Sequence, residues 1–169
     1  GNESKAYPLR ILAAHEIVNE RVGGEPVAVT YCPLCRSGVT YSRRVEGEVL
    51  EFGVSGKLRN ANLVMYDRQT ETYWSQIKGK AIIGPLVPNE LELKFSSITE
   101  WRDWKEGHPD TKVLSRNTGM NALSRYEGGQ YSGYAESEKV GFGVEEVDDR
   151  LQSKKLVYGI NVDGKAKAY

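Results

Sequence analysis

The sequence predicts an α+β fold of mainly antiparallel strands, forming a meander or a barrel-like sheet with two helices packed on it. Three observations support this fold class. Apolar residues recur with a period of two through much of residues 27–95, glycine-containing pairs separate these runs, and two short segments have helical spacing instead. The 169 residues, 39% of them hydrophobic, are enough for one core, so we expect a single β-rich domain over residues 1–169.

The first predicted helix runs from Pro8 to Asn19. Proline suits the first helical turn, and Ile11, His15 and Val18 fall on one stripe. Gly23-Gly24 then ends the element. His15 is therefore expected to face the protein interior.

Strands are predicted wherever apolar and polar residues alternate. Glycine reaches positive φ without steric cost, so Glu46-Gly47 and Lys78-Gly79 are expected to form hairpin turns. The predicted strands cover residues 27–31, 39–41, 49–54, 63–66, 72–76, 81–83 and 91–95. Together they predict a meandering antiparallel sheet.

A second helix is predicted to begin at Ser97, which forms a capping box with Glu100, and to end before Pro109. Its apolar face is expected to pack two tryptophans on the sheet. The residues of this face are Ile98, Trp101 and Trp104.

Residues 115–152 are rich in Gly, Tyr and Ser and have little periodicity, so they are predicted to form long loops. Loops of this length are often functional or form interfaces. The aromatic residues expected to line them are Tyr126, Tyr131, Tyr134 and Phe142.

The C-terminal segment, residues 156–169, predicts two strands around the turn Val162-Asp163-Gly164. Lys167-Ala168-Tyr169 repeats Lys5-Ala6-Tyr7. By itself, a match of three residues is weak evidence for a repeat. Terminal edge strands with unpaired backbone groups also predict self-association.

Charge and hydropathy exclude two classes of partner. The chain has 23 basic and 23 acidic side chains, so no net field attracts nucleic acid phosphates or anionic lipids. Its longest apolar stretches fall far short of the roughly 20 residues that span a bilayer. We expect no nucleic acid partner and no transmembrane segment.

Cys32-Pro33-Leu34-Cys35 is the most distinctive chemical feature, and it has three interpretations. In the first interpretation the pair forms a disulfide staple, which would add only about 2 kcal/mol to the stability of the fold because the closed loop is so short. In the second interpretation the pair is a redox-active or metal-binding dithiol. In the third, both cysteines are buried free thiols. Because strands flank the motif, no helix dipole is expected to activate a thiolate as in thioredoxin-like proteins.

A strand–turn–strand Cys-x-x-Cys is typical of a metal knuckle. The only histidines are His15 and His108. Cys32, Cys35 and His15 suit Cu(I), whereas all four side chains would make a tetrahedral zinc site. The alternatives are a core histidine at position 15 and a loop histidine at position 108.

A second polar group lies at Asp67, Arg68, Trp74 and Gln76. If these residues share a cleft, Asp67 is a candidate acid or base and Trp74 a stacking wall for a polar substrate. The alternative is a turn pair at Asp67 and Arg68 with Trp74 in the core.

Six segments of the sequence carry a family resemblance: AYPLRIL at 6–12, HEIVN at 15–19, VTYCPLC at 29–35, FGVSG at 52–56, LVMYDR at 63–68 and WSQ at 74–76. Together they resemble a prokaryotic family catalogued as domain of unknown function 3179. The resemblance implies no known activity. Members tend to continue past the equivalent of Tyr169 with a partial copy of the opening motif, which implies that this chain is a fragment cut inside a partial terminal repeat. Members also often carry a signal peptide or lipoprotein anchor, which implies an extracytoplasmic location that is secreted, periplasmic or cell-surface.

Two functions of different classes follow. The first is an exported redox or metal-handling domain that uses Cys32 and Cys35, assisted by His15, with copper or zinc as the metal. The second is a structural or assembly module of the cell surface, in which a Cys32–Cys35 disulfide is a staple and terminal strands pair between subunits. An enzyme acting at Asp67 and Trp74 is a third hypothesis.

Overall fold

The computed structural model describes residues 3–120, 126–127, 131–144 and 148–169. The helices are α1 (Leu9–His15), α2 (Trp101–Gly107) and α3 (Ser132–Glu136). The strands are β1 (Lys5–Ala6), β2 (Ile17–Val22), β3 (Glu25–Cys32), β4 (Ser37–Ser42), β5 (Arg44–Val45), β6 (Glu48–Val49), β7 (Phe52–Arg59), β8 (Asn62–Asp67), β9 (Tyr73–Ser75), β10 (Ala81–Ile83), β11 (Leu93–Lys94), β12 (Lys112–Val113), β13 (Gly159–Val162) and β14 (Lys165–Ala168).

The predicted α+β class with mainly antiparallel strands is confirmed, but the strands do not form one continuous meander. One four-stranded sheet has the order β11-β4-β3-β2, and a second has the order β10-β9-β8-β7. Three further pairs, β1-β12, β5-β6 and β13-β14, complete the described strands. Within the described residues these sheets are open, and no closed barrel forms.

The first predicted helix is too long, because its second half is strand β2. Helix α1 ends at His15, and Glu16 adopts a φ of 63° that a helix cannot continue through. Residues 17–22 then pair antiparallel with β3, from Ile17 opposite Thr30 to Val22 opposite Glu25. Gly23-Gly24 is therefore a hairpin turn between two strands and not the end of a helix.

The second sheet is a true meander, since β7, β8, β9 and β10 are neighbours in chain order. The predicted strand over residues 49–54 is divided in two, because Leu50 leaves the ladder and its N–H bonds to the Arg43 carbonyl at 2.8 Å. The predicted turns are confirmed. Glu46-Gly47 joins β5 to β6, and Lys78-Gly79 lies between β9 and β10.

The two sheets share one apolar core. Trp74 of β9 is fully buried and packs edge-on against Phe52 of β7, with ring centroids 5.9 Å apart. Ala28 and Cys32 of β3 belong to the same cluster from the other sheet. At the edges, the Asn19 side chain of β2 donates to the Phe52 carbonyl at 2.8 Å and accepts from the Phe52 N–H at 2.9 Å. One amide thus ties strand β7 to the first sheet.

The predicted second helix begins later than expected. Helix α2 begins at Trp101 with Glu100 as its N-cap, and no side-chain capping bond forms. Trp104 stacks on His108 at 3.9 Å, and Trp101 is about half exposed. Neither tryptophan is buried. Together with residues of β3 and β4, both line a cavity of about 730 Å3.

The helices are all short. Leu12 of α1 packs on the outer face of β3, and α3 lies within the segment that was predicted to be loop. Among the described residues, no helix has the length and apolar character needed to cross a membrane. The predicted C-terminal hairpin is confirmed as β13 and β14, joined at Asp163 and Gly164, whose φ values of 51° and 76° suit a tight turn.

Candidate functional site

The two cysteines lie at the turn between β3 and β4. Cys32 is the last residue of β3 and pairs with Ser37, the first residue of β4, so residues 33–36 form the turn. This is the predicted strand–turn–strand arrangement, with no helix at either thiol. Both residues are free thiols in the structure; Cys32 is buried and Cys35 is exposed.

Cys35 is surrounded by hydrogen-bond donors. Its sulfur lies 3.0 Å from the Ser37 hydroxyl and 3.2 Å from Nδ2 of Asn62. A hydrogen bond from the Cys32 thiol, followed by those from Ser37 and Asn62, lowers the pKa of Cys35 to about 5. Hydrogen bonds to a thiolate favour the charged form. The donors around Cys35 therefore lower its pKa, as a helix N-terminus does in other reactive cysteines.

Cys32 has the opposite character. Its hydrogen bond to Cys35 and then its burial raise the pKa of the Cys32 thiol well above the ordinary range. The Cys32 sulfur also lies 3.6 Å from the Ala61 carbonyl oxygen. The pair therefore consists of an exposed thiolate and a buried thiol.

A buried amide holds the donors in place. Oε1 of Gln76 accepts a hydrogen bond from the Asn62 amide at 2.7 Å and is the alternative acceptor, at 3.0 Å, for the single proton of the Ser37 hydroxyl. Nε2 of Gln76 donates to the Thr30 hydroxyl at 2.9 Å. Gln76 is fully buried between the two sheets, so this network fixes the positions of both side chains that face Cys35.

The turn that supplies Gln76 depends on a glycine. Gly79 has a φ of 64°, and a Cβ atom there would lie 2.6 Å from the Tyr41 ring. The Tyr41 hydroxyl donates to the Gln76 carbonyl at 2.9 Å. Close approach of Tyr41 therefore secures the backbone of Gln76.

The aromatic segment that was predicted to be functional lies near the cysteines. Tyr131 packs against the core cluster that contains Cys32. The Phe142 carbonyl accepts a hydrogen bond from the Ala61 N–H at 3.1 Å, and the Ala61 carbonyl faces the Cys32 sulfur. Tyr134 contacts Phe142 edge-on, with ring centroids 5.3 Å apart, so these rings form one group beside the site.

The two histidines lie in other surroundings. Nε2 of His15 hydrogen-bonds to the Tyr126 hydroxyl, and Thr118 lies 3.5 Å from the same nitrogen. His108 stacks on Trp104. Among the residues that the structure describes, no group of three or more His, Cys, Asp or Glu side chains is placed to hold a metal. Metal ligation by Cys32, Cys35 and His15 stays a prediction.

The second predicted polar group is divided by the fold. Asp67 is fully buried and accepts hydrogen bonds from the Thr70 N–H at 2.6 Å and from Nε1 of Trp74 at 2.9 Å. Arg68 is exposed and lies 3.2 Å from Glu51. Asp67 and Trp74 therefore stabilise the β8–β9 turn, whereas Gln76 belongs to the cysteine site.

Sequence reasoning missed three residues of the site: Thr30, Ser37 and Asn62. Ser37 carries a weak local signal, since it lies two residues after Cys35 and two residues before the strand predicted over residues 39–41. Asn62 comes from the other sheet, and only the packing of the two sheets places it beside Cys35.

Comparison with known proteins gives a family but no characterised relative. A search of curated proteins and a search of solved structures each returned no match. The family model described as "Protein of unknown function (DUF3179)" matches residues 1–169, which is the whole sequence. The chain belongs to this family.

Proposed function

We propose that the protein is a thiol–disulfide exchange domain in which Cys35 is the nucleophile and Cys32 the resolving thiol. One observation carries the proposal: Nδ2 of Asn62 donates to the sulfur of exposed Cys35 at 3.2 Å, and the Ser37 hydroxyl lies 3.0 Å from the same sulfur. The thiolate is the reactive form of cysteine, and these donors favour it near neutral pH.

The reaction has two balanced steps. The Cys35 thiolate attacks one sulfur of a substrate disulfide, forms a mixed disulfide and releases the other sulfur as a thiolate. Cys32 then loses its proton to solvent and attacks the Cys35 sulfur, which releases the second substrate thiolate. Two electrons pass from the protein to the substrate, and the protein retains a Cys32–Cys35 disulfide.

The effect of Cys35 on the pKa of Cys32 favours attack by Cys35 first and by Cys32 second. The hydrogen bond to Cys35 is the largest cause of the raised pKa of Cys32. Formation of the mixed disulfide removes the negative charge from Cys35, and this cause disappears with it. Cys32 therefore becomes easier to deprotonate when its attack is required.

The test is reaction of the reduced protein with oxidised glutathione at pH 5.5. We expect Cys35 to react roughly tenfold faster than free cysteine, because its larger thiolate fraction outweighs its weaker intrinsic nucleophilicity. Cys32→Ser is expected to accumulate the mixed disulfide, and Cys35→Ser is expected to be inert. Equal reactivity of the two single variants, or none in the folded protein, would contradict the proposal.

Metal handling at the same two sulfurs is the second candidate. Both sulfurs lie at one turn, and soft thiolates select Cu(I) or zinc. Titration with Cu(I) or with Zn²⁺ alone tests it. Stoichiometric binding that protects both thiols from alkylation would favour this function, and binding lost in His15→Ala would add His15 as a ligand.

The alternative to both thiol exchange and metal handling is a structural role, in which a Cys32–Cys35 disulfide is a staple in an assembly module. A Cys32–Cys35 disulfide that resists reduction by glutathione in the folded protein would identify it. The extracytoplasmic location implied by the resemblance belongs to the proposal too, since disulfides persist in oxidising compartments. Fractionation of the native cells with antibody detection would test the location.

A further inference from the structure

The C-terminal hairpin, β13 and β14, is a separate feature that the cysteine chemistry does not use. Its two strands pair with each other, and within the described residues they pair with no other strand. A two-stranded hairpin is marginally stable in water, and exposed strand edges template pairing with another chain. Its exposed apolar side chains are Tyr158, Ile160, Val162 and Tyr169.

The end of this hairpin repeats a sequence whose binding place is visible elsewhere in the fold. Lys5 and Tyr7 both donate hydrogen bonds to the Glu20 carboxylate. Strand β1 pairs in parallel with β12, with Ala6 opposite Val113. The N–H groups of Lys112 and Leu114 donate to the carbonyls of Ser4 and Ala6 at 3.1 and 2.9 Å. We call Glu20 and β12 together the β12 niche.

The C-terminal copy presents the same donors in the same arrangement. Residues two apart on a strand share a face, so Lys167 and Tyr169 lie together as Lys5 and Tyr7 do. In each copy the lysine Nζ lies over the tyrosine ring, 4.7 Å from the centroid for Lys167 and 6.0 Å for Lys5. A lysine and a tyrosine hydroxyl with this spacing match the carboxylate of Glu20.

We propose that residues 167–169 of one copy replace residues 5–7 in the β12 niche of a second copy. The exchange keeps the same hydrogen bonds, so it costs little, and burial of the hairpin favours it. The cavity of about 730 Å3 is lined by Ala6, Tyr7, Val113 and Trp101, so it opens beside the niche. The apolar side chains of the incoming hairpin would cover it.

The test is disulfide trapping between two differently labelled chains, both carrying Cys32→Ser and Cys35→Ser. Ala168→Cys is mixed with Val113→Cys, because the register of β1 places Ala6 opposite Val113. Partners in adjacent strands lie within disulfide range. Ala166→Cys is the matched control, since it lies two residues further along the same face. We expect the Ala168 mixture to cross-link at least about fivefold faster than the control.

Equal cross-linking by the control, or faster cross-linking of Ala168→Cys with itself, would overturn the proposal. Sedimentation of the unsubstituted chain over a concentration series provides a second measurement that needs no cysteine variant. We expect association that Lys167→Glu weakens at least about tenfold while Lys155→Glu does not. A monomer at all concentrations would also overturn it. The inference does not depend on thiol exchange, which is assayed separately.

Discussion

Nδ2 of Asn62 lies 3.2 Å from the sulfur of Cys35, and this contact joins the second sheet to the thiol of the first. The same amide group donates to Gln76 at 2.7 Å, so its position is fixed from behind. A hydrogen bond from a neutral donor to an ion typically contributes about 1.5–3 kcal/mol. Asn62 is therefore a direct determinant of thiolate formation at Cys35.

Asn62→Ala is expected to raise the pKa of Cys35 by about one unit or more, because the thiolate loses one of its donors. The measurement is ultraviolet thiolate absorbance over pH 4–9, with Cys35→Ser as the blank. Asn89→Ala is the matched control, because that amide bonds to Glu46 at the surface. An unchanged titration in Asn62→Ala would remove this residue from the site.

Gln76→Glu keeps the size of the side chain but adds a second negative charge behind the thiolate. We expect the pKa of Cys35 to rise by about one to two units through repulsion, with slower exchange at pH 6. Gln69→Glu is the control, since Gln69 bonds to the Glu51 N–H on the surface. Equal exchange rates in the two variants would show that Gln76 has only a structural role.

Reduced protein is expected to become more stable as pH rises from about 5 toward 8. Hydrogen bonds from Cys32, Ser37 and Asn62 lower the pKa of Cys35 in the folded state to about 5, below its unfolded value of about 8.5. Such a group contributes stability above the unfolded pKa and loses it as pH falls through the folded pKa. Urea unfolding of reduced protein and of Cys35→Ser should diverge in this window, and parallel curves would contradict the assignment.

A comparison of Gly79→Ala with Gly47→Ala separates two causes of lost stability, namely backbone strain at positive φ and a steric clash of the added Cβ. Both glycines have positive φ, but a Cβ at Gly47 meets nothing within 4 Å, whereas at Gly79 it meets the Tyr41 ring at 2.6 Å. We expect a loss of about 1 kcal/mol at Gly47 and about 2–4 kcal/mol at Gly79, by urea unfolding. Equal losses would show that Tyr41 moves away freely.

Asp67→Ala is expected to destabilise the protein by about 3 kcal/mol, because it leaves the buried Trp74 N–H and the Thr70 N–H without their acceptor. Thiol exchange, measured below the unfolding transition, should stay within about twofold of the parent rate. Arg68→Ala, at an exposed neighbour, should change stability by less than about 1 kcal/mol. Loss of exchange activity in folded Asp67→Ala would instead place Asp67 in the chemistry.

Local sequence signals predicted the hairpins and the turn of the cysteine motif. Glycine fixes such turns through its own backbone freedom, so Glu46-Gly47 and Asp163-Gly164 were readable without tertiary information. The stripe of Ile11, His15 and Val18 predicted a helix that is too long, because Val18 fits a helical period and a strand period equally well. Only pairing with β3 decides between them.

The chemistry of the site was predictable only in part. Cys32 and Cys35 lie three residues apart in sequence, and their turn follows from the flanking strands. The absence of a helix predicted no activated thiolate at this motif. That prediction took no account of Asn62, which is 27 residues from Cys35 in sequence. Asn62 and Gln76 reach the thiol through the packing of one sheet on the other, which no local period encodes.

The amide of Asn19 also has a consequence for solubility. By engaging both the N–H and the carbonyl of Phe52, it occupies the polar groups that the first residue of β7 would offer to a foreign strand. The Asn19 side chain therefore blocks the addition of a foreign strand at Phe52 and the fibril-like growth that could follow. Replacement of Asn19 by valine would leave those polar groups uncapped, and the expected failure is aggregation on storage, at a point remote from both thiols.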